Sequence, residues 1–167
     1  MPEARHIVGL ALIAGAAMAI TGVFADWPVY RYRDEAEAVI KVSFDHQGAR
    51  IAPCRTLTEA ELAALPAHKR TGQDCPRGRV PVTVEVDMDG RPLYAATEAP
   101  SGWAEDGPSR VFGQTVVSAG EHALVLRLRD TARSEGFDHE RALTVTIAPA
   151  QVLVIGFDSE NAAFVIR

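Results

Sequence analysis

Residues 7–25, IVGLALIAGAAMAITGVFA, run for 19 positions without a charged side chain, and this run limits the fold more than any other feature of the chain. An α-helix rises about 1.5 Å per residue, so about 20 apolar residues match the ~30 Å hydrocarbon core of a bilayer. A helix with no polar face has no solvent side to offer as the core helix of a soluble domain, so the run predicts a membrane-linked segment. Trp27, Tyr30 and Tyr32 follow at once, and aromatics suit the membrane–water boundary. Two readings stay open. Ala11, Gly15 and Ala19 recur every four residues and place small side chains on one helix face, where another transmembrane helix can approach closely. The alternative is a cleaved signal peptide, because Arg5 and His6 precede the run and Val23 and Ala25 stand at the −3 and −1 positions of a cut before Asp26.

Sidedness divides the signals. Arg5 precedes the run while Arg31, Arg33 and Lys41 follow it, a count that taken alone points the remaining chain inward. The run opens the chain as an export signal does, and the only two cysteines, Cys54 and Cys75, read as a disulfide, which persists in oxidising compartments. The expectation is a single-pass protein of a bacterial inner membrane with its C-terminal domain in the periplasm.

The rest of the chain has room for one domain. Its net charge is −5 and no Lys/Arg run exceeds two residues, which argues against nucleic acid as a partner. Ile40, Val42 and Phe44 alternate with polar neighbours, Val80, Val82, Val84 and Val86 share one face, and Leu124, Leu126 and Leu128 alternate with Val125, Arg127 and Arg129, the period of half-buried strands. Asp89-Gly90 predicts a hairpin turn. The last two strands, QVLVIGF and AAFVIR, are nearly all apolar and predict coverage on both faces. Between the first strand and the valine strand, Thr58 and Glu61 form a capping-box pair. They open a short helix with Leu57, Leu62 and Leu65 on one side and Pro66 at its end. Seven to nine strands and one inserted helix predict a mainly β, antiparallel, Ig-like or prealbumin-like β-sandwich after a single N-terminal transmembrane helix. The expected boundaries are a tail over 1–6, the membrane helix over 7–25, a linker over 26–37 and the sandwich over 38–167.

Three stretches, VTVEVDMDGRPLY, VVSAGEHALVLRLRD and LTVTIAPAQVLVIGFD, resemble the PEGA and prealbumin-like family of small extracytoplasmic sandwiches. The resemblance covers residues 82–158. It departs from the family in the longer loop around Trp103 and in the first forty residues of the domain. It implies a fold and a non-catalytic module, and carries no functional residues with it.

For the cysteines, a disulfide closing the inserted helix needs only that the two ends of the insertion meet. A metal site drawn from His46, Cys54, His68 and Cys75 is the alternative, although its spacing contains no close ligand pair. His122 and His139 read as polar residues at a strand start and in a loop. Asp130, Asp138 and Glu140 flank a polar loop without EF-hand spacing. The sequence has no nucleophile elbow, P-loop, HExxH or dinucleotide fingerprint. Arg127 and Arg129, with Arg133 beyond them, offer a cationic stripe to an acidic partner, and Trp103 offers an aromatic anchor, unless it folds back to cap the sandwich. The expected function is a non-catalytic, membrane-anchored accessory subunit without cofactor. Its partners would be other protein subunits of a larger membrane assembly, a respiratory or transport complex among the candidates. Alternatives are a secreted module binding a cell-envelope component and a copper-handling or other metal-handling assembly protein.

Overall fold

The computed structural model describes residues 2–26, 34 and 36–167, which fall into two compact units, residues 1–34 and 35–167. Among its described residues the first holds one helix, α1 (Pro2–Asp26). The expected tail over 1–6 is therefore helical from Pro2. Proline suits a first helical turn, where its missing N–H costs no hydrogen bond. The span Ala4–Ala25 is long and apolar enough to cross a membrane, and none of it is buried. Its Thr21 hydroxyl donates to the Ala17 carbonyl at 2.8 Å, so the side chain satisfies itself within the helix. Trp27, Tyr30, Arg31, Tyr32 and Arg33, which carry the boundary-aromatic expectation and part of the sidedness expectation, lie outside the described residues.

The second unit is mainly β. Its strands are β1 (Glu37–His46), β2 (Arg55–Thr56), β3 (Gln73–Asp74), β4 (Val82–Met88), β5 (Arg91–Glu98), β6 (Ser109–Ser118), β7 (Gly120–Arg129), β8 (His139–Ile147), β9 (Val152–Asp158) and β10 (Ala163–Ile166), with one short helix, α2 (Glu59–Ala64). One sheet runs β10-β9-β1-β6 and the other β5-β4-β7-β8, with β2 and β3 forming a separate ribbon. Period-two alternation drives the two sheets together. Ala38, Ile40 and Val42 from the first meet Val82, Val84, Val86, Leu124, Leu126 and Leu128 from the second in one core, each at most 2% exposed. Burying each Val or Leu contributes about 1.5–3 kcal/mol.

Asp89 (φ 53°) and Gly90 (φ 76°) both adopt positive φ in the β4–β5 turn, as a primed hairpin turn requires. Two expectations need correction. The sheets are not wholly antiparallel, because β1 pairs with β9 in parallel, Val39 opposite Val152. The chain crosses the whole second sheet between these two strands, and parallel neighbours need such a long connection. Nor is β9 covered on both faces: Leu153, Ile155 and Phe157 are buried while Val152 is 48% exposed, since only the core side has a second layer against it.

Gly48 marks where β1 ends and the chain leaves the sheet. A Cβ there would lie 2.2 Å from the Val80 carbonyl oxygen, a backbone atom with no freedom to swing away. Gly48→Ala is expected to cost ~3 kcal/mol, the upper range for overpacking, seen as a lower denaturation midpoint at unchanged m-value.

Candidate functional site: the disulfide-closed excursion and the tryptophan loop

The chain leaves the two β layers at Gly48 and returns at Val80. Val80 donates its N–H to Ala49 O at 2.9 Å and Ile51 to Gly78 O at 3.1 Å, so the two legs form a short antiparallel stalk. The Cys54–Cys75 disulfide crosses it, and β2 pairs with β3 just beyond. Leu57 N–H donates to Gly72 O at 3.0 Å. The capping box then starts α2: Thr58 N–H donates to Glu61 Oε2 at 2.8 Å, and the Thr58 hydroxyl accepts from Glu61 N–H at 3.4 Å. These bonds define a fixed shape, yet no residue from 49 to 79 is buried. α2 has no buried residue and so does not pack into the edge of the sheets, as three leucines on one side of a helix would lead one to expect. Leu57 and Leu65, which flank the six-residue helix, line a cleft within the excursion, Leu62 on the helix does not, and none of the three reaches the core.

That cleft has a volume of about 480 Å³, with Leu57, Ala64 and Leu65 as its apolar lining and Arg55, Lys69 and Asp74 among its polar residues. Arg55 stands between Glu61 (2.6 Å) and Asp74 (3.5 Å). The Thr58 backbone N–H, and next the Arg55 guanidinium, hold the Glu61 carboxyl down at about 2.

Beside the stalk lies the loop joining β5 to β6. Gly102 (φ 88°) and Glu105 (φ 50°) turn it back on itself, and Gly107 N–H donates to Ser101 O at 3.0 Å. Three bonds tie it to the stalk. Arg77 pairs with Asp106 at 2.5 Å, Gln47 Nε2 donates to Asp106 O at 2.9 Å, and Arg79 N–H donates to Glu105 O at 2.9 Å. Trp103 at its tip is fully exposed and does not fold back over the sheets.

Under this platform is a polar clasp that the sequence reading did not foresee. His46 is 8% exposed at the end of β1; its Nε2 lies 2.7 Å from Asp130 Oδ2 and its Nδ1 2.8 Å from Ser159 Oγ. His139 Nε2 approaches the same Asp130 oxygen at 3.4 Å, and both imidazoles pack on Phe157. Ser159, His46 and Asp130 stand in the order of a nucleophile relay. The Glu160 and Asn161 amides that follow Ser159 in the chain donate to Asp158 Oδ1. The trio reads as a tie between the ends of β1, β7 and β9, each side chain answering another's hydrogen-bonding need. These residues lie 84 and 113 positions apart in the chain, so no local spacing announces them.

The metal alternative loses its ligands: Cys54 and Cys75 are joined to each other, leaving neither as a thiolate, and His46 is held by Asp130 and Ser159. Arg127 and Arg129 do share one outward face, flanking Phe137 at 5.8 and 6.0 Å from its ring centre. Arg127 is engaged by Asp87 at 2.9 Å and Glu85 at 3.5 Å, and Arg133 by Asp138 at 3.0 Å, so much of the stripe's charge is neutralised within the domain. The expected membrane-helix stripe, Ala11, Gly15 and Ala19, falls on one face of α1 as its spacing requires.

His122 is a buried residue, against the expectation of a polar turn position. Its Nδ1 faces Asp89 Oδ2 at 2.7 Å and its Nε2 faces Ser118 O at 3.1 Å, so both nitrogens meet acceptors and the ring is best satisfied as an imidazolium. The Asp89 hydrogen bond raises the His122 pKa, and the His122 hydrogen bond lowers that of Asp89. The His122 contribution is complete below its unfolded pKa near 6.5 and disappears as pH climbs through the raised folded value. The Asp89 contribution holds above the ordinary carboxylate range and is lost on acidification through its lowered value. The stability advantage of wild type over His122→Gln is therefore expected to be largest at about pH 5–6 and to shrink toward about pH 9. Denaturant midpoints across that range measure it; a constant difference contradicts the assignment.

Compared with known proteins, the chain matches no family model and no curated sequence.

Proposed function

We propose that this chain is a membrane-anchored interaction subunit that displays the disulfide-closed excursion and Trp103 to a protein partner. One observation carries the reading. Thirty-one consecutive residues, 49–79, contribute nothing to a core, yet the disulfide, the capping box and the ribbon hold them in one shape. A rigid, coreless element stabilises a domain little, and rigidity is what cheapens binding, since less conformational freedom remains to be lost on contact. Trp103 joins it through Asp106 and Glu105, and exposed aromatics on fixed loops are the residues that dominate interface energies. In this reading α1 crosses a bacterial inner membrane once, its small-residue face meets helices of a larger complex, and the second unit stands in the periplasm. The disulfide supports that placement. The fold is then a PEGA-like or prealbumin-like sandwich used without chemistry of its own.

Trp103→Ala tests the platform. Full exposure predicts an unchanged thermal transition, whereas loss of an anchor predicts about thirtyfold weaker partner retention, the scale of a 2 kcal/mol hot spot. Retention equal to wild type in a tag-based purification from native membranes would remove Trp103 from the interface. Intact mass of the same sample tests the anchor, because a chain beginning at Asp26 would mark a cleaved signal and a secreted envelope-binding module.

A further inference from the structure

We infer that the partner segment received by the excursion is acidic, with an apolar side chain that enters the cleft over Leu57, Ala64 and Leu65. This inference rests on the interaction reading above and names the chemistry of the partner. Residues 49–79 hold six Lys/Arg and three Asp/Glu, a net charge of +3 in a chain whose net charge is −5. The remainder of the protein is therefore acidic, and the excursion is its one basic module. Pairing sharpens the contrast. Glu61 and Asp74 share Arg55, and Arg77 is taken by Asp106. Among the described residues, Arg50, Lys69, Arg70 and Arg79 have no carboxylate partner. Arg50 donates to Pro76 O, Arg70 to Leu65 O and Ala63 O, and Arg79 to Gly48 O, neutral carbonyls that leave their charge uncompensated. On the acidic side only Glu59 is left over.

Lys69 is exposed and lines the cleft itself, so a carboxylate next to a seated apolar side chain would reach it. A volume of about 480 Å³ holds one or two such side chains and falls in the range of ordinary ligand pockets. An anionic lipid surface offers the same charge. The cleft favours a peptide, which brings an apolar side chain of the size the cleft holds beside its carboxylate.

The test uses the full chain in nanodiscs of phosphatidylcholine with two fluorescein-labelled probes, the acidic peptide EELDELEE and the basic peptide KKLKKLKK, read by anisotropy at low and high salt. The expected result is salt-sensitive binding of the acidic probe alone. It should weaken roughly fivefold or more in Lys69→Glu, be retained in Lys69→Arg, and be unchanged in Lys41→Glu, whose site lies on the first sheet. Leu57→Asp should weaken it as well, through the cleft floor. Equal binding of the basic peptide, absence of acidic-peptide binding, or indifference to Lys69→Glu would overturn the inference. So would hydrogen-exchange protection of residues 49–79 that appears only when phosphatidylglycerol is added to the nanodisc, which would assign the charge to lipid. If the acidic probe fails while partner retention still depends on Trp103, the partner chemistry is wrong and the interaction reading stands.

Discussion

Replacing Cys54 and Cys75 together by serine is expected to release residues 49–79 while leaving the two β layers folded. Closing a loop with a sequence separation of 21 removes chain entropy equivalent to about 3 kcal/mol. In most small domains that increment appears in global stability. Here it should not, because no side chain between Ala49 and Arg79 is buried and the core is complete without them. What the disulfide stabilises is the local equilibrium of the excursion. Without it, a four-residue ribbon pairing and a six-residue helix must hold themselves, and a helix that short is marginal on its own. Amide exchange in residues 50–79 should accelerate by up to about two orders of magnitude, the factor corresponding to that free energy. The main unfolding transition should shift by much less than a global loss of about 3 kcal/mol would require. A large shift of the main transition would show that the excursion supports the layers.

The second large effect lies in the core and depends on where a cavity can collapse. Leu126 is fully buried on β7, a central strand held between β4 and β8. Phe164 is larger and 2% exposed, stacked edge-on against Phe157 at 5.2 Å, but it belongs to β10, a four-residue strand at the sheet edge. Truncation costs the lost transfer energy plus a cavity term that falls when the surroundings relax. Leu126→Ala is thus expected to cost ~4 kcal/mol and Phe164→Ala ~3 kcal/mol, the smaller residue giving the greater loss. Equilibrium denaturation of both variants decides the order. A greater cost for Phe164→Ala would mean that β10 is as rigid as the centre of the other sheet.

These cases show where the sequence was readable. Alternation made β4 and β7 plain, since Val82, Val84 and Val86 face one way with Thr83 and Glu85 between them, and Leu124, Leu126 and Leu128 do so with Val125 and Arg127 between them. The Asp89-Gly90 turn, the capping box and the cysteine clip were equally legible, each being a local rule with residues close in the chain. β6 was less so. In SRVFGQTVVS, Val111 and Val117 point inward while their apolar neighbours Phe112 and Val116 are 66% and 49% exposed, so adjacent apolar pairs blur the face. The parallel pairing of β1 with β9 was illegible because it joins segments more than a hundred residues apart. For the same reason the clasp of His46, Asp130 and Ser159 escaped notice, and His122 looked like a turn residue until Asp89 was brought beside it. Exposure of α2 was illegible because three leucines on one side of a helix ordinarily imply a core, whereas here Leu57 and Leu65 line an open cleft.

The central claim, that the excursion and Trp103 recruit a protein partner to an anchored chain, is tested most directly by one purification. The full chain carries a C-terminal tag and is isolated in gentle detergent from native membranes beside its Cys54→Ser/Cys75→Ser variant, with intact mass and copurifying proteins read by mass spectrometry. The account predicts an uncleaved wild-type chain with a stoichiometric partner that the variant loses while staying folded. A partner retained by the variant, or a chain that begins at Asp26 and stays alone in the soluble fraction, would contradict it.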